Sequence, residues 1–208
     1  MSTSAIAEVP AVKVWTADEF IEWLEPGVRA ELLDGEVFMH SPVNIRHANL
    51  VNFLDRLMGL YVEARRLGVV HRETWVVRLS ARRAVMPDVA YYTRAQAAQL
   101  CETYSPIAPT FVIEVISPSS FDRDRIWKFS AYEERGVKEF WLVDPEKLEH
   151  HFFRHDEEYF TEFAEDEEVI HSQTLPGFWV KRRWLNPTSL PEVGKCLRQL
   201  LKGSADQR

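Results

Sequence analysis

The stretch FVIEVIS, residues 111–117, is a run of apolar, mostly β-branched residues of strand length that contains one acid, Glu114. An unpaired buried carboxylate costs several kcal/mol, so Glu114 either faces solvent on the polar side of its strand, pairs with a base, or holds a metal. Beyond it come SPSS, residues 121–135 with helical periodicity, Gly136 at the helix end, and a second apolar run at 139–143 stopped by Asp144-Pro145. The order is strand, helix, strand, and it predicts an α/β protein.

Working back toward the N-terminus, Pro87-Asp88 opens another short strand at 89–92, placing a second acid 26 residues before Glu114. Phosphodiester hydrolysis near neutral pH calls for a hard cation, and hard cations choose carboxylate and carbonyl oxygens. Two acids must therefore converge, and the pair in this order is the informative feature. Residues 69–79 alternate and read as one further strand. Apolar residues at helical spacing predict a long amphipathic helix over 44–67, with Gly68 at its C-cap. Asp34-Gly35 between two short apolar runs predicts a tight hairpin, and Thr16 with Glu19 forms a capping box that opens a short first helix. Downstream, 148–153 and 159–163 read as an antiparallel β-hairpin, and 191–201 as a closing helix.

The chain has 208 residues, 46% hydrophobic and 27% charged, as expected of one globular domain over 15–202 with flexible segments at 1–14 and 203–208. No stretch approaches the roughly 18 apolar residues of a membrane span, and a cytoplasmic location without membrane partners is expected. Cys101 and Cys196 suggest neither a disulfide framework nor a zinc site, and both are expected to be small buried residues. The net charge of -7 opposes nucleic-acid binding only superficially, because residues 156–168 hold eight acids and no base. Between 65 and 86 there are six arginines against one acid, Glu73. Four of them, Arg72, Arg78, Arg82 and Arg83, are candidate phosphate contacts, with a merely solvated surface as the alternative. No phosphate loop, dinucleotide fingerprint, HExxH or nucleophile elbow is present, so no nucleotide cofactor is expected. Adjacent strand residues face opposite ways, so His150, His151, His155 and His171 make a weak metal cluster.

Four ordered motifs, AELLDGEVFMHSP, MPDVAYY, FVIEVISPSS and RIWKFSAYEERGVKEFWLVDPE, resemble the successive motifs of the Uma-two family of the PD-(D/E)xK superfamily. The likeness spans residues 16–184 and extends to LPGFWV. It implies a restriction-endonuclease-like core, a mixed central β-sheet flanked by α-helices, with an added antiparallel β-hairpin. It also implies that Asp88 and Glu114 bind Mg²⁺ or Mn²⁺, with the carbonyl of Val115 as a further ligand. The sequence departs from the superfamily pattern two residues after Glu114, where Ile116 stands in place of the catalytic lysine. In the family's pattern the lysine moves to the following helix, and Lys128 is the matching residue; an exposed helical pair with Asp124 is the competing reading. Glu31 matches an early acid that assists near the metal, unless it is a surface residue at a strand start. His47 lies in a motif but reads as structural.

The expected function is a metal-dependent DNA endonuclease. Pairing of two copies into a homodimer is an open expectation. The rivals are a catalytically inactive nucleic-acid- or protein-binding module on the same fold, and a protein whose acidic hairpin docks a basic partner.

Overall fold

The protein is described from a computed structural model covering residues 13–72, 75–117 and 123–203. The segments expected to be flexible, 1–14 and 203–208, lie outside the described residues apart from 13, 14 and 203.

Thr16 accepts a hydrogen bond from the Glu19 amide and Glu19 reaches back to the Thr16 amide, so α1 (Ala17–Trp23) starts on the expected capping box. Asp34 and Gly35 adopt positive φ of 50° and 91°, as a two-residue hairpin turn requires, and join β1 (Ala30–Leu33) to β2 (Glu36–Met39). Asn44 caps α2 (Ile45–Arg65) through the His47 amide.

Two expectations fail just beyond α2. The left-handed cap is Arg66 (φ 54°), not Gly68. Gly68 instead begins β3 (Gly68–Arg72), with φ of 152°, where an added Cβ would sit 1.9 Å from the Tyr92 carbonyl oxygen. Main-chain crowding explains the glycine, and Gly68→Ala is expected to cost about 3 kcal/mol or more in urea unfolding; a variant within about 0.5 kcal/mol of wild type would contradict this packing. The run 69–79 is also not one strand. It ends at Arg72 and resumes as β4 (Val76–Ser80) in a different sheet. Alternation is equally compatible with one strand or two, and only tertiary pairing separates them.

The chain continues through β5 (Arg83–Val85), β6 (Val89–Thr93), α3 (Arg94–Ala97), β7 (Tyr104–Ser105) and β8 (Phe111–Val115). A π-helical turn (Arg123–Lys128) runs into α4 (Phe129–Glu134), then β9 (Glu139–Val143), β10 (His150–His155) and β11 (Phe160–Glu162). β12 (Val169–His171), β13 (Trp179–Lys181) and α5 (Val193–Gly203) close the described chain. β10 and β11 are the expected antiparallel hairpin.

Six strands form a mixed sheet in the order β11-β10-β9-β8-β6-β3, in which β8 and β9 are parallel and the other neighbours antiparallel. Five others form a second sheet, β2-β1-β5-β4-β7, and β12 pairs with β13. Strand alternation sends Ile113 and Val115 into an apolar core with Leu54, Tyr61 and Leu200 of α2 and α5. Val112 and Ile116 point the other way, onto Ala131 and Tyr132 of α4 and onto Leu33 and Val85 of the five-stranded sheet. Glu114 lies on this second face. Cys196 is buried in α5, whereas Cys101 is exposed, contrary to expectation. No helix among the described residues is long and apolar enough to cross a membrane.

Candidate functional site

The chain crosses from the five-stranded to the six-stranded sheet through Met86-Pro87-Asp88, between β5 and β6. β6 pairs with β8 so that Val89 lies opposite Ile113. The ladder ends at this pair, and Asp88, in the bend just before β6, lies at the same strand end as Glu114. Asp88 is 8% and Glu114 1% exposed. Asp88 Oδ2 accepts the Val115 amide at 2.7 Å, tying the acid to the end of β8.

Glu31 comes from β1 of the other sheet. It is only 1% exposed, which removes the surface-acid reading. The π-helical turn brings Lys128 between the two sheets, its Nζ 2.9 Å from Glu31 Oε1 and 3.1 Å from Glu114 Oε1. Lys128 is 2% exposed, so it is not an exposed helical residue, and Asp124 lies outside the described side chains. A π-turn carries an extra residue relative to an α-turn, and such turns recur at functional sites. Here it leaves Ile126 and Trp127 exposed while Lys128 turns inward. Ile116 packs among apolar side chains.

Of three side chains that meet these carboxylates, Tyr132 and His40 escaped the sequence reading and His47 was read as structural. The Tyr132 hydroxyl donates to Glu114 Oε1 at 2.6 Å from a fully buried position. His47, 4% exposed, places Nε2 3.4 Å from Asp88 Oδ2, and His40 Nε2 lies 3.2 Å from Glu31 Oε2. A histidine after a hairpin and another near a helix start carry no periodicity signal; the only clue was their place in AELLDGEVFMHSP and SPVNIRH. Glu31 Oε1 also accepts the Met86 amide at 2.9 Å. Burial raises the Glu31 carboxyl, but the Lys128 ammonium and His40 outweigh it and hold the group well below the ordinary carboxylate range. Glu31 is therefore an anion paired with Lys128.

Among the described residues no three His, Cys, Asp or Glu side chains converge at metal-binding spacing. The carboxylates of Asp88 and Glu114 and the carbonyl of Val115 are all hard oxygens. That set fits Mg²⁺, which takes one or two carboxylates and completes its shell with water and substrate phosphate. His151 pairs with Glu162, and His155 Nε2 lies 3.1 Å from the Glu133 carbonyl oxygen, so those histidines tie β10 to β11 and α4.

The four arginines do not converge. Arg72 lies on β3, 4.0 Å from Asp55, whereas Arg78, Arg82 and Arg83 belong to the five-stranded sheet or its β4–β5 turn. Arg78 pairs with Asp18 at 3.0 Å. Arg83 joins Asp34 and Glu134, both at 2.6 Å, and so ties α4 to the five-stranded sheet. Arg82 is exposed.

Glu139, read only as part of a strand, is a buried acid outside this cluster. It accepts from Trp141 Nε1 (2.7 Å), Ser172 Oγ (2.8 Å), Thr174 Oγ1 (2.7 Å) and the amides of Gln173 (2.8 Å) and Thr174 (2.9 Å). Burial pushes its carboxyl up to about 7, with the Thr174 and Ser172 donors restraining the rise. Its folded value exceeds the ordinary 4.5, so this stabilisation is full below about pH 4.5 and is lost as pH climbs through about 7. The stability advantage of wild type over Glu139→Gln, from urea midpoints, is expected to shrink between about pH 5 and about pH 8. An advantage that grows with pH would contradict this.

Residues 17–186 match the Uma2 family, described as "Putative restriction endonuclease". The fold is also that of a solved crystal structure, a "putative nuclease belonging to DUF820" from Anabaena variabilis ATCC 29413, with a TM-score of 0.65 at 16% identity, covering 89% of this chain and 98% of that one. No protein of curated function matches. With its four motifs, two sheets and matched span, the chain belongs to the Uma2 family.

Proposed function

We propose that the chain is a metal-dependent endonuclease that hydrolyses phosphodiester bonds of DNA, with Asp88 and Glu114 as the cation's carboxylate ligands. The observation supporting it is a buried lysine shared by two carboxylates from different sheets, beside a third carboxylate held to the same strand end. Structural ion pairs alone do not need this arrangement, because a buried charged cluster stabilises a fold little more than apolar packing would.

The chemistry a bound Mg²⁺ or Mn²⁺ supplies is polarisation of a phosphate oxygen and acidification of water. Asp88, Glu114 and the Val115 carbonyl present the oxygens for it. Lys128 holds a fixed positive charge where negative charge builds on the phosphate, and Glu31, with His40 and the Met86 amide, fixes that ammonium. Tyr132 orients Glu114, as outer hydrogen bonds commonly orient ligating carboxylates.

Of the arginines, Arg82 is the proposed phosphate contact, because Arg72, Arg78 and Arg83 each pair with an acid. Arg82→Ala should reduce the slope of log affinity against log salt by about 1. Arg78→Ala and Arg83→Ala should leave that slope unchanged, and the reverse ranking would contradict the assignment. Two copies, paired as a homodimer, would bring two centres to the two strands.

The test is cleavage of plasmid and oligonucleotide DNA with Mg²⁺, Mn²⁺ or chelator. Cleavage that requires the cation and is lost in Glu114→Gln supports the reading. Cation-dependent DNA binding without cleavage would leave an inactive binding module.

A further inference from the structure

Beyond the carboxylate centre, the edge strand β3 borders an open cavity of about 670 Å³, within the range of small-molecule sites. Its walls include Asp55 of α2, His71 and Arg72 of β3, Trp75, Leu100 and Glu102. The β3–β6 register places His71 opposite Ala90 and Arg72 opposite Val89. Asp88 directly precedes Val89, so the His71–Arg72 end of β3 lies beside the end of β6 from which Asp88 projects. The cavity thus opens one strand outward from the proposed cation centre, at the same end of the sheet.

The wall chemistry is specific. The rings of His71 and Trp75 have centroids 4.4 Å apart, and Trp75 is braced edge-on by Tyr92 at 6.0 Å, which is itself fully buried. Both ring residues are half-buried, so a rigid aromatic surface remains open to the cavity. Arg72 and Asp55 stand 4.0 Å apart, a loose pair with the Arg72 side chain 54% exposed. A donor fork and an acceptor therefore sit at the edge of an aromatic platform, as a planar heterocycle with donors and acceptors on its rim would require.

We propose that this cavity takes an unpaired nucleobase of the nucleic-acid strand whose phosphate lies at the Asp88–Glu114 centre, stacked on Trp75 and contacted at its edge by Arg72 and Asp55. The proposal rests on the nuclease reading and adds a substrate class, DNA that is single-stranded or locally unpaired beside the cut. Stacking on an aromatic ring tolerates any base, so the pocket selects for an unpaired base rather than for a sequence.

The experiment is fluorescence anisotropy with a labelled single-stranded oligonucleotide and its duplex, with chelator present so that neither is cut. Single strand should bind more tightly than duplex. Trp75→Ala should weaken single-strand binding at least about fivefold with little change for duplex, and Trp75→Phe should restore most of it. Arg72→Ala, a change at an exposed side chain, should weaken single-strand binding as well, which keeps the test decisive if Trp75→Ala misfolds. Equal single-strand affinity in folded Trp75→Ala or in Arg72→Ala would overturn the proposal, while Mg²⁺-dependent cleavage by wild type would leave the nuclease reading standing. Wild type that neither binds nor cleaves any nucleic acid would end both. Tight binding of dAMP that displaces the oligonucleotide regardless of strand length would make this a free-nucleotide site and overturn the strand assignment. A shift from dimer to monomer in Trp75→Ala, with oligonucleotide affinity unchanged, would make the cavity an interface between copies and overturn it too.

Discussion

Lys128→Ala is expected to lose at least about tenfold of Mg²⁺-dependent cleavage, roughly 1.4 kcal/mol of barrier, while Lys138→Ala cleaves like wild type. Lys138 is exposed beyond the Gly136 turn, whereas the Lys128 ammonium is buried against Glu31 and Glu114. Its removal also leaves two buried carboxylates without their cation, and breaking such a cluster from one side costs about 3–5 kcal/mol. A bound divalent ion would replace part of the missing charge. Mn²⁺ should therefore raise the Tm of Lys128→Ala more than that of wild type, by linkage to the folded state. Circular dichroism must show both variants folded, and calorimetry should show Mn²⁺ still bound by Lys128→Ala. Equal cleavage by the two variants would place the catalytic cation elsewhere.

Asp88→Asn and Glu114→Gln are expected to weaken Mn²⁺ binding by more than about tenfold and to abolish measurable cleavage, since each removes a charged oxygen from the only proposed ligand pair. Glu31→Gln is expected to behave differently. Glu31 Oε1 is already taken by Lys128 and the Met86 amide, so its loss should lower kcat through a misplaced Lys128 and leave Mn²⁺ affinity within about threefold of wild type. Titration calorimetry on the three variants, read beside kcat and KM, separates ligation from positioning. A Glu31→Gln affinity loss as large as that of Glu114→Gln would make Glu31 a ligand.

The sequence announced the chemistry where a charged residue broke a pattern. Glu114 stands inside an otherwise apolar strand, and the structure finds it buried and paired, as such a residue must be. The hairpin at Asp34-Gly35, the capped first helix and the 150–162 hairpin were legible because turn and cap residues act locally. What stayed hidden was set at long range. The break between β3 and β4 comes from pairing in two different sheets, and the short strands β5, β12 and β13, three residues each, are too brief for periodicity to register. His40, His47 and Tyr132 became site residues only when two sheets and a helix converged. Proximity in sequence does not place the arginines on one surface: Arg72 lies in one sheet and the other three in or beside the second, and three of the four meet acids.

The central claim is that Asp88 and Glu114 share one divalent cation. Anomalous scattering from a crystal soaked in Mn²⁺ tests it most directly. The expected result is a peak bonded to both carboxylates at about 2.0–2.6 Å, with the Val115 carbonyl in the same shell. A peak bound away from both acids, or no peak at saturating Mn²⁺, would contradict it.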